Sequence, residues 1–194
     1  KLLRSWGRSS SLFSDSEAIE NRFNIHLDGI RYDAKFVFEE IGYQLEPSEI
    51  SAAFALVQLG KLETNITLRR QNFDSHTAFF KKYDNFFTVP AENPRAHTAW
   101  LAFPAIVKPD APFTRTDLQI FLEKRNIQTR VVFTGNILRQ PGYKDIDCVG
   151  IADDFVNADN VMRGGILLAL HHGLTKEMMD HVHESCSKFL NQFS

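Results

Sequence analysis

Residues 98–107, TAWLAFPAIV, decide the fold, because here the chain stops reading as helix and starts reading as strand. Aromatic and aliphatic residues crowd together without a three- or four-residue period, as a pleated, largely buried segment does. Pro104 lacks a backbone donor, which places the strand at an edge or interrupts it. Toward the C-terminus, Thr114 or Thr116 caps a helix carrying Leu118, Ile120, Phe121 and Leu122. Gln128–Phe133 (QTRVVF) reads as a short strand ending at Thr134-Gly135-Asn136. Val161–Leu170, with its apolar run ILLAL, reads as a third strand, and Gly164-Gly165 as a turn. Lys176–Phe193 is a last helix with Met179, Val182, Cys186, Phe189 and Leu190 on one face.

Toward the N-terminus, Pro47-Ser48-Glu49 opens a helix with acids at its positive end. Ile50, Ala53, Phe54, Val57, Leu59, Leu62 and Ile66 continue it through Arg69, Phe73 and Phe80 toward Tyr83. That helix carries more apolar residues than a small sheet can cover, so it is expected to drive self-association. Tyr32–Leu45 (YDAKFVFEEIGYQL) reads either as a strand burying Phe36 and Phe38 or as a ligand-facing segment. Residues 9–34, with Ser9, Ser10, Ser11, Ser14 and Ser16, show no period and read as a long loop. Residues 1–8 read as a helix end running into a glycine turn. The sum is α+β: a long helix plus a small, mainly antiparallel sheet with helices on one side.

Composition removes several functions. Twenty-two Lys+Arg against 24 Asp+Glu give a formal charge of −2, too little basic excess to hold a nucleic acid. No run of 18 apolar residues predicts a membrane span. Cys148 and Cys186 make no disulfide framework, so a reducing, cytoplasmic setting is expected. His171 and His172 are expected on opposite faces of a strand, and His181 and His183 stand about 200° apart on a helix. No metal site is expected from such spacing. Arg130, Asn136, Arg139 and Gln140 bracket one Gly turn. Planar multi-donor side chains suit phosphate and sugar recognition, although a solvated turn followed by a helix would use the same residues.

These residues lie in motifs that carry a resemblance. SWGR (Ser5–Arg8), NRF (Asn21–Phe23), YDAKF (Tyr32–Phe36) and IGYQL (Ile41–Leu45) are followed by AAFALVQLGKL (Ala52–Leu62) and WLAFP (Trp100–Pro104). TRVVFTGNILRQP (Thr129–Pro141) and GLTKEMMD (Gly173–Asp180) complete the set. Together they resemble the C-terminal part of the DegT/DnrJ/EryC1/StrS nucleotide-sugar aminotransferase/dehydratase family, pyridoxal-phosphate enzymes of the aspartate-aminotransferase fold (fold type I). The block from Phe133 to Pro141 is most like the 3-dehydratases of deoxysugar and lipopolysaccharide biosynthesis.

The resemblance implies residues 1–45 as the tail of a large cofactor-binding domain, and 46–194 as a connecting helix and small C-terminal domain. It implies pyridoxal or pyridoxamine 5′-phosphate, a nucleotide-activated 4-keto-6-deoxy sugar and a homodimer. Gln44 stands where relatives carry an Asn that reaches the neighbouring subunit's cofactor phosphate. Phe36, Arg130, Asn136 and Arg139 match positions around the bound sugar nucleotide. Ser9 to Glu20 contains no Cys, so the iron–sulfur cluster of some dehydratases is not expected. The catalytic Lys (aminotransferase) or His (dehydratase) of the family precedes SWGR, so no catalytic residue is assigned here and this piece alone is expected to be inactive. The chain, opening Lys-Leu-Leu-Arg without Met, reads as part of a longer polypeptide. The resemblance leaves three functions open: a 4-keto-6-deoxyhexose 3-dehydratase first, then a sugar aminotransferase, then a non-catalytic sugar-nucleotide-binding or dimerisation fragment.

Overall fold

The structure, a computed structural model, describes residues 1–13, 15, 18–143 and 145–193, without the side chain of residue 21. Ser14 and Ser16 of the serine-rich segment and the Asn21 side chain of the NRF motif therefore lie outside the described residues. The chain forms two compact units, residues 1–60 and 61–194.

The first unit is held by main-chain pairing. SWGR runs antiparallel to IGYQL: Tyr43 N donates to Leu3 O at 2.7 Å, Trp6 N to Tyr43 O at 2.9 Å and Leu45 N to Arg4 O at 2.9 Å. Glu39 N to Gly7 O (2.9 Å) and Ser9 N to Val37 O (3.0 Å) extend the pairing. Gly7 sits at φ +83, where a Cβ would lie 1.8 Å from the Glu40 carbonyl oxygen; only glycine permits that approach. The described residues of the 9–34 segment hold more secondary structure than its lack of period predicts. A short helix α1 (Ile19–Arg22) precedes a hairpin of β1 (Ile25–Leu27) and β2 (Ile30–Tyr32). Its two-residue turn, Asp28-Gly29, has positive φ at both positions (+47 and +83), which suits the strand twist. Three residues per strand are too few for a visible alternation. Phe36 closes a 3-10 turn capped by Asp33, and both Phe36 and Phe38 are exposed, so the buried-strand reading of this stretch gives way.

The expected long helix is two helices. α2 (Glu49–Gly60) ends this unit and α3 (Leu62–Phe80) begins the next, broken at Gly60-Lys61, where glycine weakens the helix. The rest of the second unit is β3 (Phe87–Thr88), β4 (Ala102–Val107), α4 (Arg115–Glu123), β5 (Arg130–Val131), α5 (Val156–Gly164), β6 (Gly165–Ala169) and α6 (Lys176–Leu190). The sheet order is β3-β4-β6-β5, antiparallel throughout. Pro104 sits in an inner strand, yet β3 pairs only with Ile106 and Val107. At Pro104 the ladder continues on the β6 side alone, so its missing donor breaks nothing.

β4 alternates strictly, burying Phe103, Ala105 and Val107 beside Ile166 and Leu168 of β6. Phe73 and Phe80 of α3, Leu118 and Leu122 of α4, and Cys186, Phe189 and Leu190 of α6 join the same core. Burial pushes the Cys186 thiol up to about 12, which makes it an inert packing group. α5 occupies part of the expected third strand: the chain stays helical through Gly164, whose Cβ would meet the Val107 carbonyl at 2.3 Å.

A polar strut crosses this core. His76 is fully buried, with Nε2 3.2 Å from Ala169 O and Nδ1 3.0 Å from His183 Nε2. The carbonyl can only accept, so Nε2 carries the proton, and His183 donates to the bare Nδ1. Burial, with His183 second, pushes the His76 pKa down to about 4. His171 and His172 lie beyond the end of β6, where the chain turns and brings their rings to a centroid distance of 4.1 Å. The opposite-faces expectation fails there, since strand geometry no longer applies. Among the described residues no group of His, Cys, Asp or Glu is arranged to hold a metal, and no helix is long and apolar enough to cross a membrane.

Candidate functional site

The turn between β5 and α5 concentrates the second unit's unusual chemistry. It begins on an anchor. Glu123, at the end of α4, accepts from Thr129 N (2.6 Å) and Thr129 Oγ1 (2.9 Å), and Gln119 donates to the same hydroxyl at 3.0 Å. Thr129 is thereby buried and the next residue, Arg130, faces outward on the short edge strand β5. Its Nη1 donates to Thr129 O at 2.8 Å. With the Gln128 amide oriented to satisfy its hydrogen bonds, that oxygen accepts from Arg130 Nη2 at 2.7 Å. Arg130 has no carboxylate ion pair among the described residues, so a partly held guanidinium remains open to an anion.

After Val131 the backbone turns sharply. Phe133 adopts φ +46 and Gly135 φ +60. Gly135 is required, because a Cβ there would lie 2.4 Å from Met162 Cβ on α5. Phe133 gains no cover from its position: the residue is 82% exposed.

Asn136 and Arg139 come together on shared acids, Asn136 buried and Arg139 with 35% of its side chain exposed. Asn136 is 2% exposed. It donates to Ala152 O at 2.8 Å and Asp159 Oδ1 at 2.9 Å, and accepts from Leu138 N at 3.2 Å, capping a 3-10 turn. Arg139 forks onto Asp159 at 2.5 Å through both Nε and Nη2, and Nη2 also reaches Asp153 at 2.7 Å. Gln140 donates to Thr134 O at 3.2 Å. The Arg139 fork, then Asn136, pulls the Asp159 carboxyl down to about 2. Arg139, bonded to Asp159 and then Asp153, is raised above its ordinary value. The sequence-predicted residues thus divide: Arg130 is open to a ligand, whereas the Asn136 amide donors and the Arg139 fork bind their own loop.

Phe36 and Gln44 belong to the first unit. Phe36 is half exposed at the end of its 3-10 turn. Gln44 pairs its backbone with Ser5, and its exposed carboxamide has no side-chain partner among the described residues. An unengaged amide donor fits one contact to a phosphate oxygen and no more. Nearby, Ser5 and then Arg4 hold the Glu46 carboxyl below its ordinary range, which removes both as free anion donors. Asp159 and Asp153, the acids that organise the turn, lie 20 and 14 residues beyond Arg139, outside the motif that singles out the turn. The signal was present: Asp159 stands in the first turn of a segment ending Gly164-Gly165, an acid-first, glycine-last helix pattern.

Residues 11–187 match the DegT/DnrJ/EryC1/StrS aminotransferase family. A dTDP-4-dehydro-2,6-dideoxy-D-glucose 3-dehydratase from Saccharopolyspora spinosa is 33% identical over 99% of this chain and 42% of its own length. The lipopolysaccharide biosynthesis protein RfbH of Salmonella typhimurium is 27% identical over 96% of this chain and 43% of its own length. In structure, the E. coli GDP-4-keto-6-deoxy-D-mannose-3-dehydratase with bound hydrated PLP matches 94% of this chain and 45% of its own, at 24% identity and TM-score 0.72. The chain spans less than half the length of these proteins. It has the fold of the C-terminal portion of fold-type I pyridoxal-phosphate enzymes, with the α+β arrangement its sequence predicts. The chain belongs to the DegT/DnrJ/EryC1/StrS aminotransferase family.

Proposed function

We propose that this chain is the C-terminal part of an enzyme that removes the C3 hydroxyl of a nucleotide-activated 4-keto-6-deoxyhexose, with pyridoxal or pyridoxamine phosphate as cofactor. The observation that carries the reading is the exposed Arg130 guanidinium, ion-paired to no carboxylate among the described residues, beside a turn locked from behind. A 33% identity across almost the whole chain to a 3-dehydratase supports the reaction class. The cofactor, when bound, supplies the electron sink for breaking the C3–O bond. Arg130 holds the diphosphate by a charge-assisted fork, and Asn136 and Arg139 serve the substrate by fixing the turn. Phe36 gives an apolar contact to the sugar nucleotide, and Gln44 donates to the cofactor phosphate of the neighbouring subunit in a homodimer. Residues 1–45 then belong to a larger cofactor-binding domain, with 46–194 as connecting helix and small domain. None of these residues is assigned the proton transfer.

A sugar aminotransferase is the second reading, favoured by a dTDP-4-amino-4,6-dideoxy-D-glucose transaminase of Shigella dysenteriae, 26% identical over 73% of the chain. The protein encoded by the full gene, given glutamate, the cofactor and a nucleotide-linked 4-keto-6-deoxyhexose, separates them. Loss of the C3 hydroxyl, seen by NMR of the product, confirms the dehydratase. An amino group at C4 establishes the aminotransferase instead. No change in the sugar, with nucleotide sugar still bound, would leave a binding module.

A further inference from the structure

The turn at 133–140 is not a relaxed loop. Phe133 is a bulky residue in left-handed backbone, and it is 82% exposed. Conformational preference and the hydrophobic effect both favour the opposite arrangement, with φ negative and the ring packed down. The surroundings forbid that relaxation. Gly135 is pressed on Met162, and Asn136 and Arg139 are tied to α5 through one carboxylate. That carboxylate is Asp159, 6% exposed, which accepts from Asn136 Nδ2 and Arg139 Nε on one oxygen and from Arg139 Nη2 on the other. Arg163, one turn along α5, adds a weaker pairing at 3.6 Å. A solvated turn has no need of a buried carboxylate with three side-chain donors to hold an aromatic ring out of its preferred place. A turn that presents the ring to a ligand does.

We infer that Asp159 is a positioning residue that holds Phe133 outward as a stacking face for the base of the bound nucleotide, three residues beyond the Arg130 that takes its diphosphate. Aromatic faces accept any nucleobase, so the platform supplies affinity for a nucleotide without choosing the base. The inference rests on the sugar-nucleotide reading above, and the tests keep the two apart.

Two measurements decide it. In hydrogen exchange on this chain, Asp159→Asn speeds exchange of amides 133–143 about tenfold or more, while β4 and β6 are unchanged. Asp159→Glu, which keeps the charge, recovers part of the protection. Unchanged exchange in 133–143, or equal acceleration in β4 and β6, would overturn the positioning role. In isothermal titration of the protein encoded by the full gene, Phe133→Ala and Asp159→Asn each weaken a nucleoside diphosphate about tenfold. Inorganic pyrophosphate binds Phe133→Ala as it binds the wild type. Equal weakening of both ligands by Phe133→Ala, or of neither, would refute stacking. If the unmutated protein binds neither ligand, the sugar-nucleotide reading falls and the stacking face falls with it, while the exchange result still decides the clamp.

Discussion

The two units are ordered by different forces. In residues 61–194 a four-stranded sheet and three helices bury nearly the whole apolar core, Phe103, Leu122, Ile166, Leu170 and Leu190 included. In residues 1–60 Val37 is the one described hydrophobic residue below a tenth exposure, and order comes from backbone pairing around Gly7 and Gly42. Ile41 is 97% exposed and Ile50 84%. Fully apolar side chains in such number are unusual on a free surface and mark a face made to be covered. Stability therefore depends on side-chain volume in one unit and on main-chain geometry in the other.

The comparison breaks most sharply in the core. Leu168→Ala, 2% exposed in β6, should cost about 2–5 kcal/mol in urea unfolding, through lost burial and a residual cavity. The same truncation at Ile50 should cost about 0.5 kcal/mol or less, since no burial is lost there. Comparable losses at both positions would erase the distinction.

Acid should act on the second unit through His76. Its folded pKa lies near 4, below the ordinary 6.5, so the unfolded state binds the proton first as pH falls. The stabilisation is complete above about pH 6.5 and declines between pH 6.5 and 4. Below that window both states are protonated and no further change follows from this group. The whole decline is on the order of 3 kcal/mol, and His183, also held down by burial, works in the same direction. Urea midpoints followed across this range, with His76→Gln flattening the profile, check the assignment.

Main-chain geometry governs the next effect. Gly7→Ala puts a Cβ into the Glu40 carbonyl at φ +83 and should cost about 1–3 kcal/mol locally. Hydrogen exchange should then rise at Trp6, Glu39 and Tyr43 while β4 stays protected. Smallest in folding energy is Phe54→Ser on α2, where every residue is exposed or nearly so. The chain should self-associate by light scattering, and this variant should reduce the associated fraction with little change in unfolding midpoint. A wild-type chain monomeric at all concentrations would refute the covered-face account.

Periodicity was legible where elements are long and one-sided. α6 presents Met179, Cys186, Phe189 and Leu190 to the core at helical spacing, and β4 alternates over six residues. The β1–β2 hairpin and two-residue β3 are too short to carry a period, and the Gly60-Lys61 break lies inside an uninterrupted apolar pattern. At the site, the turn Phe133–Gln140 was found from its Arg and Asn residues. Which way those side chains point was not, because Asn136 and Arg139 depend on an acid 20 or more positions later. Arg130, beside the Thr129–Glu123 contact, is exposed on its edge strand, as the alternation with buried Thr129 implies.

The most direct test of the account is binding of a nucleoside diphosphate to the protein encoded by the full gene, with and without Arg130→Ala. Loss of a charge-assisted fork should weaken binding about tenfold or more, with the unfolding midpoint unchanged. Equal affinity in the two proteins would show that the β5–α5 turn does not hold the nucleotide, and the proposed site would be wrong.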